Sequence, residues 1–344
     1  MQERQQKSWL LGILAALLLT PCLSVADKPF ERIVVFGDSL SDPGNAYFLT
    51  GRKLKPPYDT LDSLLIPDGP YARGGNRFSN GATWIEQFAK PLDLRDTVGP
   101  AFKGKNGKKL KKTNYAVGGA RAHDNGIGIN LTAQVGAFFA DARSVAPGDA
   151  LYVIALGSND VRDAVAALAV DGTGAASVDI LTAALTAISD NILALYGSGA
   201  RTFLVGNAPD LSLTPAIRTL DLVSPGAAPA AAIFSARFNA ELGTLLDTLG
   251  AALPRMQIAR LDLYRSVHDL VAYPGNYGLK NVREACIMPG EPPFACKKAK
   301  RYLFWDGIHP TKTTHGILAE KAHEALRPIV PKQRECVGRY PVTH

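Results

Sequence analysis

Four short apolar runs separated by helical patterns constrain the fold of this chain more than any other feature. The runs are rich in Val, Ile, Leu or Tyr and end in polar residues, Gly or Pro, as strands do: Arg32–Phe36, Ala150–Leu156, Arg201–Val205 and Gln257–Leu261. Helical patterns lie between and after them: Ala82–Ala89, Thr132–Val145, Ser177–Tyr196, Ala230–Leu249 and Thr313–Leu326. This alternation predicts an α/β fold with a mostly parallel central sheet that helices cover on both faces.

A weaker strand is predicted over Thr113–Val117, and no repeat or long linker divides the chain. We therefore expect a single domain over residues 27–344. Residues 1–26 have a basic start, a short apolar run and a small-x-small end at Ala26, the pattern of a secretory signal peptide. An N-terminal membrane anchor and a lipidated Cys22 are the alternatives. The signal peptide predicts export to the periplasm or the extracellular space.

Clusters of Gly and polar residues follow the predicted strands. They are Gly37-Asp38-Ser39, Gly118-Gly119, "GSND" at 157–160 and, near the end of the chain, "FWDGIHPT" at 304–311. Each cluster alone is common in turns. Because reactive groups of parallel α/β folds gather beyond the carboxyl ends of the strands, we expect all four at one rim of the sheet.

Together these clusters hold the groups that acyl transfer requires. Ser39 is a candidate nucleophile, and a serine hydroxyl needs a neighbouring base such as His309. Asp306, three residues earlier, would orient the imidazole and stabilise the imidazolium. The backbone N–H groups of Ser39 and Gly119 and the side-chain amide of Asn159 would form an oxyanion hole.

Two rivals to these residues are weaker candidates. Ser41 lies further from the strand end than Ser39, and a cap or turn role suits it better. His323 also follows an acid by three residues, Glu320, but within a helical pattern, which predicts a surface ion pair. His309 instead lies in a Pro-bounded loop, where functional residues concentrate.

The net charge of +7 is concentrated in "KGKNGKKLKK", Lys103–Lys112, which holds six lysines and no acid. A solvated loop is the first interpretation. The alternative is transient contact with an anionic membrane surface. Nucleic-acid binding is not expected, because the segment has no arginine, aromatic residue or known motif.

Three cysteines follow residue 26. Cys286 and Cys296 bracket a Pro- and Gly-rich loop and are the favoured disulfide pair in an exported chain. Cys336 then has no predicted partner. Their spacing matches no zinc pattern. We expect the loop between Cys286 and Cys296, like the lysine segment, to help shape the substrate entrance.

The chain strongly resembles the GDSL family of SGNH hydrolases. Blocks typical of the family occur in the right order: "FGDSLSDPGN" at 36–45, "NYAVGGAR" at 114–121, "GSND" at 157–160 and "FWDGIHPT" at 304–311. "RFSNGATWIEQFA" at 77–89 is typical of its lipase-type branch. The resemblance covers nearly all of the chain after residue 26, and it is closest to the secreted bacterial phospholipase, lecithinase and haemolysin branch.

The resemblance implies a flavodoxin-like α/β/α sandwich without metal or organic cofactor. It implies hydrolysis of carboxylic esters through an acyl-serine intermediate, with Ser39, Asp306 and His309 as the triad and Gly119 and Asn159 in the oxyanion hole. A small-molecule or lipid ester is the expected substrate, and a lipase or lysophospholipase activity the leading expectation.

Other activities on the same fold stay open. They are arylesterase, carbohydrate acetylesterase, acyltransferase and choline esterase, the last of which would need an aromatic cage for a quaternary ammonium. Candidate cage residues are Trp84, Trp305, Tyr273 and Tyr277. A binding protein on a catalytically dead fold is the alternative from a different class.

Overall fold

The computed structural model describes residues 29–104 and 110–329, and its centre is a sheet of four parallel strands. They follow one another across the sheet in chain order: β1 (Arg32–Gly37), β2 (Ala150–Ala155), β3 (Thr202–Gly206) and β4 (Gln257–Leu261). The four predicted strands are confirmed to within one residue at each end. The residues of β2 and β3 are buried throughout, which explains why those runs are continuously apolar.

The weaker predicted strand, Thr113–Val117, lies parallel to β1 on the side away from β2. The Val35 N–H donates to the Thr113 carbonyl at 2.8 Å, and the Tyr115 N–H donates to the Val35 carbonyl at 2.8 Å. An isolated bridge joins it to β1, between Val35 and Asn114, and another joins Asn114 to Pro100 on its outer side, so the pairing is irregular. With it, the sheet has the order of a flavodoxin-like fold, in which the second segment lies outside the first.

Helices surround the sheet: α1 (Asn45–Thr50), α2 (Trp84–Ala89), α3 (Leu131–Ala142), α4 (Ser158–Ala167), α5 (Ala175–Gly197), α6 (Pro215–Val223), α7 (Ala227–Ala252), α8 (Leu263–Ala272) and α9 (Lys312–Leu326). A separate two-stranded parallel sheet pairs β5 (Asn281–Ala285) with β6 (Tyr302–Phe304).

Alternate residues of the strands enter two hydrophobic cores. Val34 and Phe36 of β1 join the core that α3, α4, α5 and α7 cover. Ile33 and Val35 join the core that α2, α8 and α9 cover. Since side chains alternate between the faces of a sheet, the result is the predicted α/β/α sandwich.

The helices α2, α3, α5, α7 and α9 match the predicted patterns, whereas α1, α4, α6 and α8 were not predicted. These four have at most ten residues, too few for a clear period, and side-chain caps start two of them. Thr214 accepts from the Ile217 N–H before α6, and Asp262 accepts from the Arg265 N–H before α8.

Helix α5 is long and apolar enough to cross a membrane by length and composition. Its Leu181, Ile188 and Leu195 pack into the core, however, as in an amphipathic core helix. The predicted signal peptide, Cys22, Cys336 and the middle of the lysine segment lie outside the described residues. The single domain over 27–344 therefore stays a prediction.

Candidate active site

Two loops bring three predicted residues into one chain of hydrogen bonds. Ser39 Oγ lies 2.8 Å from His309 Nε2, and His309 Nδ1 lies 2.7 Å from Asp306 Oδ2. All three residues are buried, with Asp306 completely inaccessible. Because a carboxylate only accepts, His309 carries its proton on Nδ1, and Nε2 is free to take the Ser39 proton.

The loop of Asp306 and His309 follows β6 of the small sheet, and it meets Ser39 at the end of β1, as expected for clusters at one rim of the main sheet. A backbone hydrogen bond closes the loop, because the Trp305 N–H donates to the His309 carbonyl at 2.7 Å. Asp306 Oδ1 accepts from the N–H groups of Ile308 and His309 at 2.9 and 2.7 Å. The spacing of three residues thus lets one carboxylate fix both the loop and the imidazole.

Tyr71 also belongs to this network, although it is not among the residues predicted from the sequence. Its hydroxyl donates to Asp306 Oδ2 at 2.9 Å, and its ring packs edge-on against Trp305. Asp306 therefore accepts four hydrogen bonds inside the protein. Tyr71 is 235 positions away in the chain, and no local pattern could have indicated the contact.

The three predicted oxyanion donors lie in loops or helix starts at the end of the main sheet. Within the described ranges, the N–H groups of Ser39 and Gly119 donate to no protein acceptor. Asn159 lies in the first turn of α4 and uses one Nδ2 hydrogen on the Ala120 carbonyl at 2.9 Å, which leaves the other available. Gly119 has φ +81°, and a Cβ there would meet open space.

Two buried acids hold the Gly118–His123 segment, which carries Gly119. Asp42 accepts from the Gly118 N–H at 2.9 Å, and Asp160 accepts from the Ala122 N–H at 3.0 Å. Asp160 Oδ1 also lies 2.6 Å from His123 Nδ1, and this hydrogen bond raises the pKa of His123. The fourth residue of "GSND" therefore positions the segment that carries an oxyanion donor.

A cleft opens beside Ser39 and His309. Most of its wall is apolar, formed by Leu40, Ile66, Pro209, Leu211, Ile217 and Ile308. Asp38, Ser158, Asn159, Arg162 and Thr214 supply its polar lining. Burial raises the pKa of Asp38 to about 6. The cleft therefore places an apolar wall next to the polar, reactive groups.

Ser41 and His323, the weaker candidates for the nucleophile and the base, make contacts outside the triad. Ser41 is completely buried and accepts from Trp84 Nε1 at 3.0 Å, in agreement with a structural role. The predicted surface ion pair of His323 with Glu320 is wrong. His323 is half-buried with its ring 4.4 Å from that of Phe88, and burial lowers its pKa.

The structure contains the expected disulfide between Cys286 and Cys296, whose sulfur atoms are 2.07 Å apart. It does not line the cleft, which corrects the expectation that this loop shapes the entrance. Cys286 instead packs in a cluster with Tyr71 and Trp305, behind Asp306. The disulfide thus packs against Tyr71 and Trp305, the neighbours of Asp306.

The four candidate aromatic cage residues are not brought together around the triad. Trp84 and Trp305 are buried, Tyr273 is 62% exposed, and none of the four lines the cleft at Ser39. Across residues 29–104 and 110–329, no group of three His, Cys, Asp or Glu side chains is arranged to hold a metal ion.

Comparison with known proteins identifies the family of this chain. The model of the GDSL-like lipase/acylhydrolase family matches residues 33–322. The chain belongs to this family. Its activity is accordingly that of a carboxylic ester hydrolase.

Among curated relatives, a GDSL esterase/lipase of Arabidopsis thaliana is 29% identical over 84% of this chain and 84% of its own. A second from the same plant is 26% identical over 88% of this chain and 91% of its own.

Among solved structures, a catalytic mutant of an acetylxylan esterase from Geobacillus stearothermophilus aligns with a TM-score of 0.45 at 11% identity, covering 86% of this chain and 94% of its own. A lipolytic G-D-S-L family member from Veillonella parvula aligns with a TM-score of 0.39 at 14% identity, covering 85% and 96%.

Proposed function

We propose that this protein is an exported serine ester hydrolase of the lipase or lysophospholipase type. Ser39 is the nucleophile, His309 the general base and then acid, and Asp306 the orienting carboxylate. The observation that carries the proposal is the unbroken hydrogen-bond chain from Ser39 Oγ through His309 to Asp306. A binding protein on a dead fold would have no use for it.

The reaction would proceed in two halves. His309 Nε2 takes the Ser39 proton as Oγ attacks the ester carbonyl carbon, and Asp306 stabilises the imidazolium that forms. His309 then gives this proton to the departing alcohol, which leaves an acyl-Ser39. Water, deprotonated by His309, attacks the acyl carbon, and the proton returns to Ser39 Oγ as the carboxylic acid leaves.

Charge develops on the carbonyl oxygen in both halves. The Ser39 and Gly119 N–H groups and the second Asn159 Nδ2 hydrogen supply up to three donors for it. These donors are fixed before substrate arrives, because Asn159 is anchored on Ala120 and Asp42 anchors the Gly118 N–H. Donors that need no reorganisation stabilise the transition state most.

The apolar wall of the cleft favours an apolar acyl chain as the group that is transferred to Ser39. Leu211 and Ile217, contributed by the segment after β3 and by α6, extend this wall beyond the reacting atoms. An apolar lining of this kind contributes about 0.8 kcal/mol per buried methylene. Chain length should therefore raise kcat/KM until the cleft is filled.

Export is supported by the predicted signal peptide and by the Cys286–Cys296 disulfide, since disulfides persist in oxidising compartments. Contact of the lysine segment Lys103–Lys112 with anionic lipid stays a prediction. Its binding to vesicles with and without phosphatidylglycerol would test it.

The test is a panel of esters with wild type and Ser39→Ala. It includes p-nitrophenyl esters of two to twelve carbons, lysophosphatidylcholine, phenyl acetate, acetylcholine and acetylated xylan. We expect the highest kcat/KM on medium or long acyl esters, and loss of all activity in Ser39→Ala. Preference for acetyl or choline esters would replace the lipase assignment. Inertness on every ester would favour the binding protein.

A further inference from the structure

Arg162 is a charged residue of the cleft that the proposed mechanism does not use. It lies on α4 three residues after Asn159, one turn along the helix, and it lines the cleft together with Ser39 and His309. One turn places its backbone about 5 Å beyond that of Asn159 along the axis. Its long side chain therefore reaches the substrate region next to the oxyanion hole.

The neighbouring charged residues all have partners. Arg121 makes two hydrogen bonds of 2.8 Å to Asp163, and His123 lies 2.6 Å from Asp160. In the part of the chain that the structure describes, Arg162 donates no hydrogen bond and forms no ion pair. It is nevertheless partly buried, and burial lowers its pKa.

A partly buried guanidinium without a protein acceptor gives up part of its hydration, while its five N–H donors stay available to an acceptor that enters the cleft. The acids whose charges act on Arg162 are Asp163, which already pairs with Arg121, and Asp38. Asp38 Oδ1 instead accepts from the Leu40 N–H at 2.9 Å. The guanidinium thus faces the cleft with its hydrogen-bonding capacity unused.

We propose that Arg162 binds an oxyanion group, phosphate or carboxylate, on the substrate's alcohol part, a few bonds from the scissile ester. The inference rests on the proposed function, in which the acyl part is apolar and occupies the apolar wall. The anion therefore belongs to the alcohol that leaves. Planar guanidinium binds phosphate and carboxylate oxygens in pairs, so either group suits the site. The anion stays on the alcohol and only the acyl C–O bond is cleaved.

The test uses three octanoyl esters below their micellar concentration, so that adsorption to an interface does not contribute. They are 1-octanoylglycerol, 1-octanoylglycerol 3-phosphate and 3-octanoylglyceric acid, which carry no charge, a phosphate and a carboxylate. Wild type should show a higher kcat/KM on one or both anionic esters than on the neutral one. Added NaCl should reduce this preference, and the better anion identifies the group that the site takes.

Arg162→Gln should lower kcat/KM on the preferred anionic ester about 10- to 100-fold, mainly through KM, and change the neutral ester less than threefold. Arg162→Lys keeps the charge without the planar guanidinium, and its kcat/KM on the preferred anionic ester should lie between the values of wild type and Arg162→Gln. Arg237→Gln removes an exposed arginine on α7 that pairs with Glu241, and it serves as the matched control with no expected effect.

The inference is overturned if Arg162→Gln changes neutral and anionic esters equally, or changes neither, while the variant melts like wild type. It is also overturned if wild type shows no preference for either anion. In these cases activity on 1-octanoylglycerol leaves the proposed function standing. Inertness of wild type on all three esters and on the wider panel overturns the proposed function itself, and the inference with it.

Discussion

Gly307, between the two catalytic-loop residues Asp306 and His309, offers a sharp test of how precisely that loop must be placed. A Cβ built on Gly307 would overlap the Leu64 carbonyl oxygen and lie 3.1 Å from the backbone carbonyl carbons of both Leu64 and Leu65. The Gly307 N–H also donates to the Leu65 carbonyl at 2.9 Å. Both neighbours are backbone, so no side chain can rotate away.

Gly307→Ala should therefore move the loop by about 1 Å to restore an ordinary carbon–oxygen contact. A displacement of this size at reacting groups costs about 100-fold in rate, because the Ser39–His309 hydrogen bond of 2.8 Å loses its geometry. Overpacking should also lower the free energy of unfolding by about 1–3 kcal/mol. The assay is kcat/KM on p-nitrophenyl butyrate, together with urea unfolding followed by circular dichroism.

Gly243→Ala is the matched control. Gly243 lies inside α7, and a Cβ there meets no atom within 4 Å. This variant should gain about 0.5–1 kcal/mol of stability from helix propensity and keep wild-type kinetics. A folded Gly307→Ala with wild-type kcat/KM would refute the reasoning that loop placement limits catalysis.

Three further predictions concern the groups around the triad. Asn159→Ala should lower kcat about 10²- to 10³-fold with little change in KM, measured on the same ester; an unchanged kcat would remove this side chain from the oxyanion hole. Tyr71→Phe should cost about 1.5–3 kcal/mol in urea unfolding, because buried Asp306 loses one of four donors; a loss below 0.5 kcal/mol, roughly the size of ordinary surface substitutions, would contradict this. Burial raises the pKa of Asp38 from 3.8 to about 6, so between these pH values the folded protein keeps a proton that the unfolded chain has released. The free energy of unfolding of the wild type should therefore fall as pH rises through this interval. Asp38→Asn, which can still accept from Leu40, should make that fall smaller, while buried Asp42, whose pKa is also raised to about 6, keeps its own contribution. The variant should be more stable than wild type at pH 8 by up to about 3 kcal/mol; parallel stability curves for the two proteins would show the direction to be wrong.

β1, β2 and β3 could be predicted from sequence because they are buried almost throughout, and such burial makes a strand a continuous apolar run. β4 is exposed at Gln257 and Arg260, and its remaining residues are Ile258, Ala259 and Leu261. The segment Thr113–Val117 has a weaker sequence signal although it is buried throughout, because Thr113 and Asn114 interrupt its apolar run. Short helices such as α6 and α8 depend on single caps and on packing, which propensity alone does not reveal.

Some residues of the candidate site could likewise be predicted from the sequence, and others could not. The juxtaposition of Ser39, Asp306 and His309 could be predicted because Ser39 directly follows a strand and Asp306 precedes His309 by three residues in a loop. Tyr71 and Arg162 could not, because their roles follow from contacts, or the absence of contacts, that exist only in the folded chain. Asn159 was predicted as a donor, although "GSND" was compatible with a turn and in fact begins α4. Gly, Ser, Asn and Asp are favoured in turns and at helix starts alike.

The most direct measurement of the central claim is labelling with a fluorophosphonate, followed by peptide mass spectrometry to locate the adduct. The account predicts one stoichiometric adduct on Ser39, no adduct in Ser39→Ala, and labelling slowed by at least about 10³-fold in His309→Ala. An adduct on another serine, or wild-type ester hydrolysis by Ser39→Ala, would contradict Ser39 as the nucleophile.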